Sequence, residues 1–170
     1  TRTFPANGRF TGPQRDLYNL VLASQDAAVA ATRAGARFTD PHDATLRVLS
    51  QGLLDSGLLS KQQHGTVDDV IANKAYFAFY MHRTSHWLGM DVHDCGSYVE
   101  PGHTPPADTS APSAPPPGRI LHPGMVLTIE PGLYVRPSPE VPEAFWNIGI
   151  RIEDDAIVTA TGCELISRDV

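Results

Sequence analysis

The chain has 170 residues and a mass of 18.4 kDa, which is about the length of one domain and enough to bury a core. Its 41% apolar content argues against wholesale disorder, and its formal net charge of -6 argues against binding of nucleic-acid phosphates through a basic face. The apolar runs are too short to cross a membrane, and the 2 cysteines are too few for a disulfide scaffold, which favours a reducing, cytoplasmic location.

The first predicted helix follows a short extended segment. We interpret residues 1–11, which are polar and partly alternating, as the end of a strand. Thr11 then offers an N-cap ahead of Pro13, and residues 14–34 carry apolar side chains at helical spacing, with Gly35 as the stop.

Two further helices are predicted in the first half of the chain. Asp40 before Pro41 is a helix start signal, and Thr66 with Asp69 three residues later resembles a capping box. The helix that begins at Asp40 should bury three leucines, which are Leu46, Leu49 and Leu53.

The second half is predicted to form strands. Residues 125–129 are rich in β-branched side chains, residues 133–135 continue after a Pro-Gly turn, and residues 148–153 and 156–159 alternate with a period of two. These strands predict a mostly antiparallel sheet with the helices packed on one face, which is an α+β fold.

Residues 101–118 are rich in proline and carry almost no large apolar side chain. Such a composition favours an extended, solvated insertion between two strands. The alternative is a docking segment for a partner that recognises proline.

Polar side chains that bind metals concentrate in three places. Residues 82–94 contain three histidines and two aspartates, Glu130 ends an apolar strand, and Glu153 lies on another strand beside Arg151. A carboxylate in an apolar strand is costly to bury unless it is paired or binds a cation. The three segments together predict a divalent-metal site, because imidazole and carboxylate ligands suit Zn, Mn or Co.

Each segment alone has a simpler interpretation. An isolated histidine such as His82 is more often structural than a ligand, and a strand glutamate such as Glu130 is more often a salt-bridge partner on the surface. The spacing of His86, Asp91 and His93 is weak evidence by itself. The metal site is favoured because three separate segments repeat the same unusual feature.

Three motifs resemble those of the Xaa-Pro aminopeptidase (aminopeptidase P) family. They are SHWLGMDVHD, PGMVLTIEPGLYV and NIGIRIEDD, and the resemblance runs from Thr1 to about Ile166. This family belongs to the pita-bread metallopeptidases, together with prolidase and methionine aminopeptidase. The resemblance therefore implies a pita-bread fold and removal of the N-terminal residue before a proline.

The resemblance also implies roles for individual residues. His86, Glu130 and Glu153 match the family's metal ligands, with Mn²⁺ as the common ion and Zn²⁺ or Co²⁺ as alternatives. The matching catalytic and substrate-contacting residues are His82, His93, Glu130 and Arg151.

The remaining assignments concern neighbouring side chains. Asp91 and Asp94 are expected to support the histidine loop rather than to bind metal. The proline pocket is assigned to Trp87 and Tyr134.

In the family, two aspartate ligands lie upstream of a segment that resembles the start of this chain, so both would precede Thr1. We therefore expect an incomplete pita-bread fold, namely the C-terminal part of a catalytic domain with an insertion at about residues 101–118. The chain alone should bind at most one ion or bind metal weakly, be inactive or weakly active, and self-associate or pair with the missing N-terminal part. The alternative is a truncated, non-catalytic relative that binds peptide, metal or a partner chain.

Overall fold

A computed structural model describes residues 1–103 and 117–169. The central part of the proline-rich segment lies outside these residues, so the interpretation of that segment stays a prediction.

The first half of the chain is helical. Its helices are α1 (Gly12–Ala31), α2 (Asp40–Asp55), α3 (Lys61–His64) and α4 (Val67–Ala72), followed by a short 3₁₀ helix at Ala75–Ala78. Capping boxes at Thr11 and Thr66 confirm two predicted helix starts. The cap of α2 is Thr39 rather than Asp40, and the predicted burial of the three α2 leucines is confirmed.

Helix α1 ends earlier than predicted. Its last residue is Ala31, because the buried Thr32 leaves the helical conformation and its hydroxyl donates to the Ala28 carbonyl at 2.8 Å. Gly35 has a φ of +82° and turns the loop that follows, so the positive-φ glycine lies beyond the helix rather than at its end.

The described residues of the second half form seven short strands. They are β1 (Leu88–Gly89), β2 (Val92–His93), β3 (Val126–Ile129), β4 (Gly132–Tyr134), β5 (Gly149–Arg151), β6 (Asp154–Val158) and β7 (Cys163–Leu165), with a 3₁₀ helix at Glu143–Phe145. All pairings in the described residues are antiparallel: β1 with β2, β3 with β6, β6 with β7, and β4 with β5. The α+β prediction is confirmed, and β1, β2 and β7 were not predicted.

The core lies between the helices and one face of these strands. Leu17 and Val21 of α1 and Leu49 of α2 pack in one cluster with Leu133 of β4 and Ile150 of β5, all of them at most 3% exposed. A second cluster contains Phe38, Trp87, Leu121, Leu127 and Val158. This packing places the strands of the three small sheets beneath the polar segments that the sequence singled out.

Asp154 joins the two terminal segments of the described chain to α1. Its carboxylate is 1% exposed and accepts hydrogen bonds from Arg2 (2.8 Å), Ser167 (3.0 Å), Gln25 (3.2 Å) and Arg168 (3.0 Å). The strand predicted in residues 1–11 is not formed: Thr1 exchanges two backbone hydrogen bonds with Glu153, at 3.2 and 3.0 Å, but Arg2 and Thr3 then contact the sheet through their side chains.

None of the described helices combines the length and the apolar character needed to cross a membrane.

Candidate metal centre

Two glutamates lie at a break in the antiparallel ladder. The β3 pairing ends at Ile129 and the β4 pairing begins at Gly132, so Glu130 and Pro131 lie between two paired segments. Pro131 has no N–H and cannot continue the ladder as a donor. Glu153 occupies the matching break in the partner strand, just before β6. The two glutamates are thus brought side by side.

A third polar segment runs along the free side of β3. The N–H of Thr128 donates to the His86 carbonyl at 3.0 Å, and the N–H of Glu130 donates to the Thr84 carbonyl at 2.7 Å. This backbone pairing carries the imidazole of His86 to the Glu130 carboxylate, where Nε2 and Oε1 are 3.2 Å apart.

His86, Glu130 and Glu153 therefore converge, as the sequence predicted. One possible ligand atom from each of the three side chains lies within 4.8 Å of the others, and the side chains are 9%, 13% and 19% exposed. Within residues 1–103 and 117–169, no other group of this kind is found. The three segments meet in space although 67 positions of sequence separate His86 from Glu153.

The hydrogen bonds of His86 fix its tautomer. Its Nδ1 lies 2.9 Å from the carbonyl oxygen of Trp87, which can only accept, so Nδ1 carries the proton. In the neutral ring Nε2 then has a free lone pair, and it faces the Glu130 carboxylate. Two electron-rich atoms at this separation are stabilised by a cation between them.

Glu153 is held in its ionised form. Burial opposes ionisation, but the Thr1 hydroxyl, the N-terminal ammonium and the nearby Arg151 together lower the pKa of this carboxyl. Arg151 also approaches Glu130, with Nη1 at 3.9 Å from Oε2.

His82 lies at one side of the three converging residues. Its Nδ1 is 2.8 Å from the Arg83 carbonyl oxygen and its Nε2 is 2.8 Å from the Tyr134 hydroxyl. Since the carbonyl only accepts, Nδ1 donates to it. In a neutral ring, Nε2 then accepts a hydrogen bond from the Tyr134 hydroxyl.

His93 reaches the site from the β1–β2 hairpin. Its ring is exposed and packs edge-on against His86, with centroids 4.2 Å apart. The preceding Val92 has a φ of 75°, a left-handed conformation that is rare for a β-branched residue. A Cβ on Gly89 would lie 2.4 Å from the backbone nitrogen of Asp94, so the tight hairpin requires glycine there.

The assignment of Trp87 to an open proline pocket is wrong. The indole is 9% exposed, packs at a tilt against Phe38 with centroids 4.5 Å apart, and donates to the Ser97 carbonyl at 3.2 Å. Its alternation with His86 along the segment turns it towards the core. Asp94 accepts the Gly96 N–H at 2.7 Å within the histidine loop, consistent with a supporting role.

Sequence reasoning missed a buried polar network behind the site. The Thr84 hydroxyl is 3.0 Å from His42 Nδ1 and 2.7 Å from the Tyr80 hydroxyl. Burial raises the pKa of Tyr80, so its hydroxyl keeps its proton. Because Thr84 also accepts the Glu130 N–H, this network supports the backbone beneath the glutamate.

The network predicts a pH dependence of stability. Burial first, then the positive charge of Arg83 and the neighbouring His82, lower the pKa of His42 from 6.5 to about 4. The unfolded chain thus binds more protons than the folded one between these values, and stability falls as pH falls below 6.5. The loss from this residue between pH 7 and pH 5 should be about 2 kcal/mol.

Urea unfolding at pH 7 and pH 5 measures this loss. His42→Asn, whose side-chain amide replaces Nδ1, should reduce the difference between the two pH values. The control His122→Asn changes an exposed histidine and should leave the difference as it is. Equal pH dependence in the native and His42→Asn proteins would contradict the prediction.

The sequence of this chain is similar to those of known metallopeptidases. The family model described as Metallopeptidase family M24 matches residues 1–160. The chain is 45% identical over 170 residues to the Xaa-Pro aminopeptidase of Escherichia coli (strain K12), and 41% identical to that of Haemophilus influenzae. The alignments cover all of this chain but 34% and 35% of those proteins, so the chain spans about a third of the length of these curated relatives.

Solved structures agree with the sequence comparison. The aminopeptidase PepP of Pseudomonas aeruginosa superposes with a TM-score of 0.85 at 45% identity, covering 99% of this chain and 34% of that one. An Escherichia coli aminopeptidase P variant in complex with substrate and a Zn-substituted form in complex with product each give a TM-score of 0.83 at 43% identity, with the same coverage.

Proposed function

The chain belongs to metallopeptidase family M24 and has part of the pita-bread fold, and we propose that it acts in the metal-dependent removal of an N-terminal residue before proline. The observation that carries this proposal is the convergence of one imidazole and two carboxylates, whose possible ligand atoms lie within 4.8 Å of one another. We further propose that it corresponds to the C-terminal part of a catalytic domain.

The side chains fit a divalent ion. The imidazole offers Nε2 as a ligand atom and the two glutamates offer oxygen ligands, a set that suits Mn²⁺, Zn²⁺ or Co²⁺. Ligands bound to one such ion at about 2.0–2.2 Å lie about 3–3.5 Å apart. The 3.2 Å between His86 Nε2 and Glu130 Oε1 falls in this range. Mn²⁺ is our choice among these ions because of the family resemblance.

A bound ion would supply a Lewis acid and a water made nucleophilic near neutral pH. The protein's own groups have distinct tasks beside it. Glu130 would accept a proton at its carboxylate during attack, and Arg151, 3.9 Å away, would keep that carboxylate oriented. The exposed ring of His93 would hold a substrate carbonyl.

The hydrogen bonds of His82 limit what it can donate. Both of its ring nitrogens are engaged, one with the Arg83 carbonyl and one with the Tyr134 hydroxyl. His82 would therefore contact a substrate carbonyl only when Tyr134 turns away, and otherwise it orients the Tyr134 hydroxyl. The proposed proline pocket therefore includes Tyr134 but not Trp87.

A reducing, cytoplasmic location remains our proposal from the cysteine content. In the described residues Cys95 and Cys163 are both free, and Cys95 is exposed.

Metal titration tests the proposed site. We expect the chelator-treated chain to bind one Mn²⁺ per molecule by calorimetry, because three protein ligands are present. His86→Ala and Glu153→Gln should each weaken binding at least roughly tenfold, since even indirect partners of a metal ligand contribute 10–100-fold.

Matched controls change the same residue types elsewhere. His122→Ala and Glu164→Gln alter exposed side chains and should bind Mn²⁺ as the native chain does. Equal loss in controls and site variants, or no binding by the native chain, would contradict the site.

A peptide assay separates the two functions. We expect the chain alone to release little or none of the first residue from an Xaa-Pro peptide; clear release that depends on Mn²⁺ and is absent for an Xaa-Ala peptide would support proline-specific hydrolysis and contradict the expected inactivity. Metal-dependent binding of the Xaa-Pro peptide without release supports the non-catalytic alternative. If the chain pairs with itself or a partner chain, light scattering should report a mass above 18.4 kDa.

A further inference from the structure

Thr128 lies beneath the candidate metal centre and contacts two of its three proposed ligands. It is in β3, two residues before Glu130, and it is 1% exposed. Its hydroxyl lies 3.1 Å from the Glu130 carboxylate Oε1 and 3.1 Å from the backbone nitrogen of His86.

Chemistry fixes the direction of both hydrogen bonds. The backbone N–H of His86 can only donate, so it uses a lone pair of the hydroxyl. The single hydroxyl proton is then available for the carboxylate oxygen Oε1 of Glu130, which accepts it. One hydroxyl therefore satisfies a buried donor and orients a carboxylate oxygen at the same time.

The same oxygen of Glu130 faces the imidazole of His86. Oε1 is the atom 3.2 Å from Nε2, and it is also the atom that accepts the Thr128 proton. A rotation of the carboxylate would break the bond to Thr128 and move Oε1 away from His86. The hydroxyl thus holds the carboxylate in the rotamer that brings the two ligand atoms together.

Thr128 also makes a hydrogen bond to His86 through its backbone. The N–H of Thr128 donates to the His86 carbonyl at 3.0 Å, so this residue is hydrogen-bonded to His86 through both its side chain and its main chain. Because 42 positions separate these residues, the pairing fixes a long-range contact that the local sequence does not impose.

We propose that Thr128 is a positioning residue of the metal centre, whose hydroxyl couples the orientation of Glu130 to the position of His86. The inference rests on the proposed function for its metal readout, and on the contacts of the hydroxyl alone for its second readout.

The test compares variants that keep or remove the hydroxyl. Thr128→Val has nearly the same shape without the hydroxyl, and Thr128→Ser keeps the hydroxyl. We expect Thr128→Val to bind Mn²⁺ about 10–100-fold more weakly than the native chain, the range for partners of a ligand, and Thr128→Ser to stay within about threefold.

Thr45→Val is the matched control. Thr45 is also a fully buried threonine, but its hydroxyl has no hydrogen-bond partner among the described residues. Its replacement should leave the Mn²⁺ affinity unchanged. A Thr128→Val protein that is less stable yet binds Mn²⁺ as the native chain does would show a merely structural role and overturn the proposal.

An NMR readout without metal separates this inference from the proposed function. Loss of the hydroxyl should shift the His86 backbone amide proton and the Glu130 carboxyl carbon, and Thr128→Ser should restore both signals. If the native chain binds no Mn²⁺, the proposed function fails and these signals still decide whether Thr128 positions the two side chains. Signals unchanged in Thr128→Val would overturn the inference.

Two measurements guard against a valine variant that does not fold. Thr128→Ala removes the hydroxyl without adding bulk and should give the same shifts. In the native protein, the hydroxyl proton of Thr128 should exchange slowly with water, because Thr128 is 1% exposed and its hydroxyl is hydrogen-bonded on both sides. Rapid exchange would contradict the inference.

Discussion

Replacement of Asp154 by alanine is expected to lower the free energy of unfolding by about 3 kcal/mol. The carboxylate is 1% exposed and receives hydrogen bonds from Arg2, Gln25, Ser167 and Arg168. Its removal leaves the amide of Gln25 without this acceptor in the core. The loss lies at the low end of the range for a broken buried ion pair, because both guanidinium groups still reach water.

Urea unfolding of Asp154→Ala and Asp155→Ala measures this effect. Asp155 is the next residue on β6 and points to the opposite, more exposed face, so its replacement should change the unfolding free energy by less than about 0.5 kcal/mol. A loss below about 1 kcal/mol in Asp154→Ala would contradict the importance of this carboxylate.

The same residue makes stability sensitive to acid. Burial alone would raise the pKa of Asp154, but hydrogen bonds from Arg2, Ser167 and Arg168 lower it below its usual range. The folded chain therefore binds fewer protons than the unfolded chain below the ordinary aspartate pKa. The stabilisation is complete above that value and is lost as pH falls through the folded-state pKa.

Replacement of Glu130 by glutamine is expected to abolish stabilisation by metal. At a Mn²⁺ concentration 100 times the dissociation constant, binding to the folded state adds about 2.7 kcal/mol. For a chain of this size that corresponds to an increase in Tm of roughly 5–10 °C. Glutamine cannot supply the anionic oxygen, so the Tm of Glu130→Gln should not rise with Mn²⁺.

Differential scanning calorimetry with and without Mn²⁺ gives the comparison. Glu143→Gln changes an exposed glutamate and should keep the full increase in Tm. Without metal, Glu130→Gln should melt near the native temperature, because the amide occupies the same volume. An equal increase in Tm in Glu130→Gln and the native chain would show that Mn²⁺ binds elsewhere.

Much of the fold could be predicted because local signals and burial agree. The capping boxes at Thr11 and Thr66 are local and formed as expected. Strands β1 and β2 could not be predicted, because each has two residues and depends on the contact of their hairpin with neighbouring segments. The strand predicted in the first eleven residues does not form, because Thr1 pairs with Glu153 through its backbone whereas Arg2 contacts the sheet through its side chain.

The candidate site was largely predictable, whereas its supports were not. The convergence of His86, Glu130 and Glu153 was predicted from three polar segments and from their resemblance to the motifs of a metallopeptidase family. Asp154 was overlooked, although a signal existed: it falls on the same alternating positions as the buried Ile150, Ile152 and Ala156. A charged residue at an inward-facing strand position needs hydrogen-bond partners. In this protein those partners come from distant segments, which the spacing of residues in the sequence does not reveal.

The paired breaks that hold Glu130 and Glu153 also constrain which length changes this protein tolerates. Strand side chains alternate with a period of two. One residue inserted or deleted within β3 would therefore move each side chain between the change and Glu130 to the opposite face of the strand. Glu130 would then take the place of Ile129 against Ala28 and Ala156, while Ile129 would face the imidazole. Length variation among homologues should therefore be confined to connecting loops, and a library of single-residue insertions should find β3 and β6 among the least permissive segments.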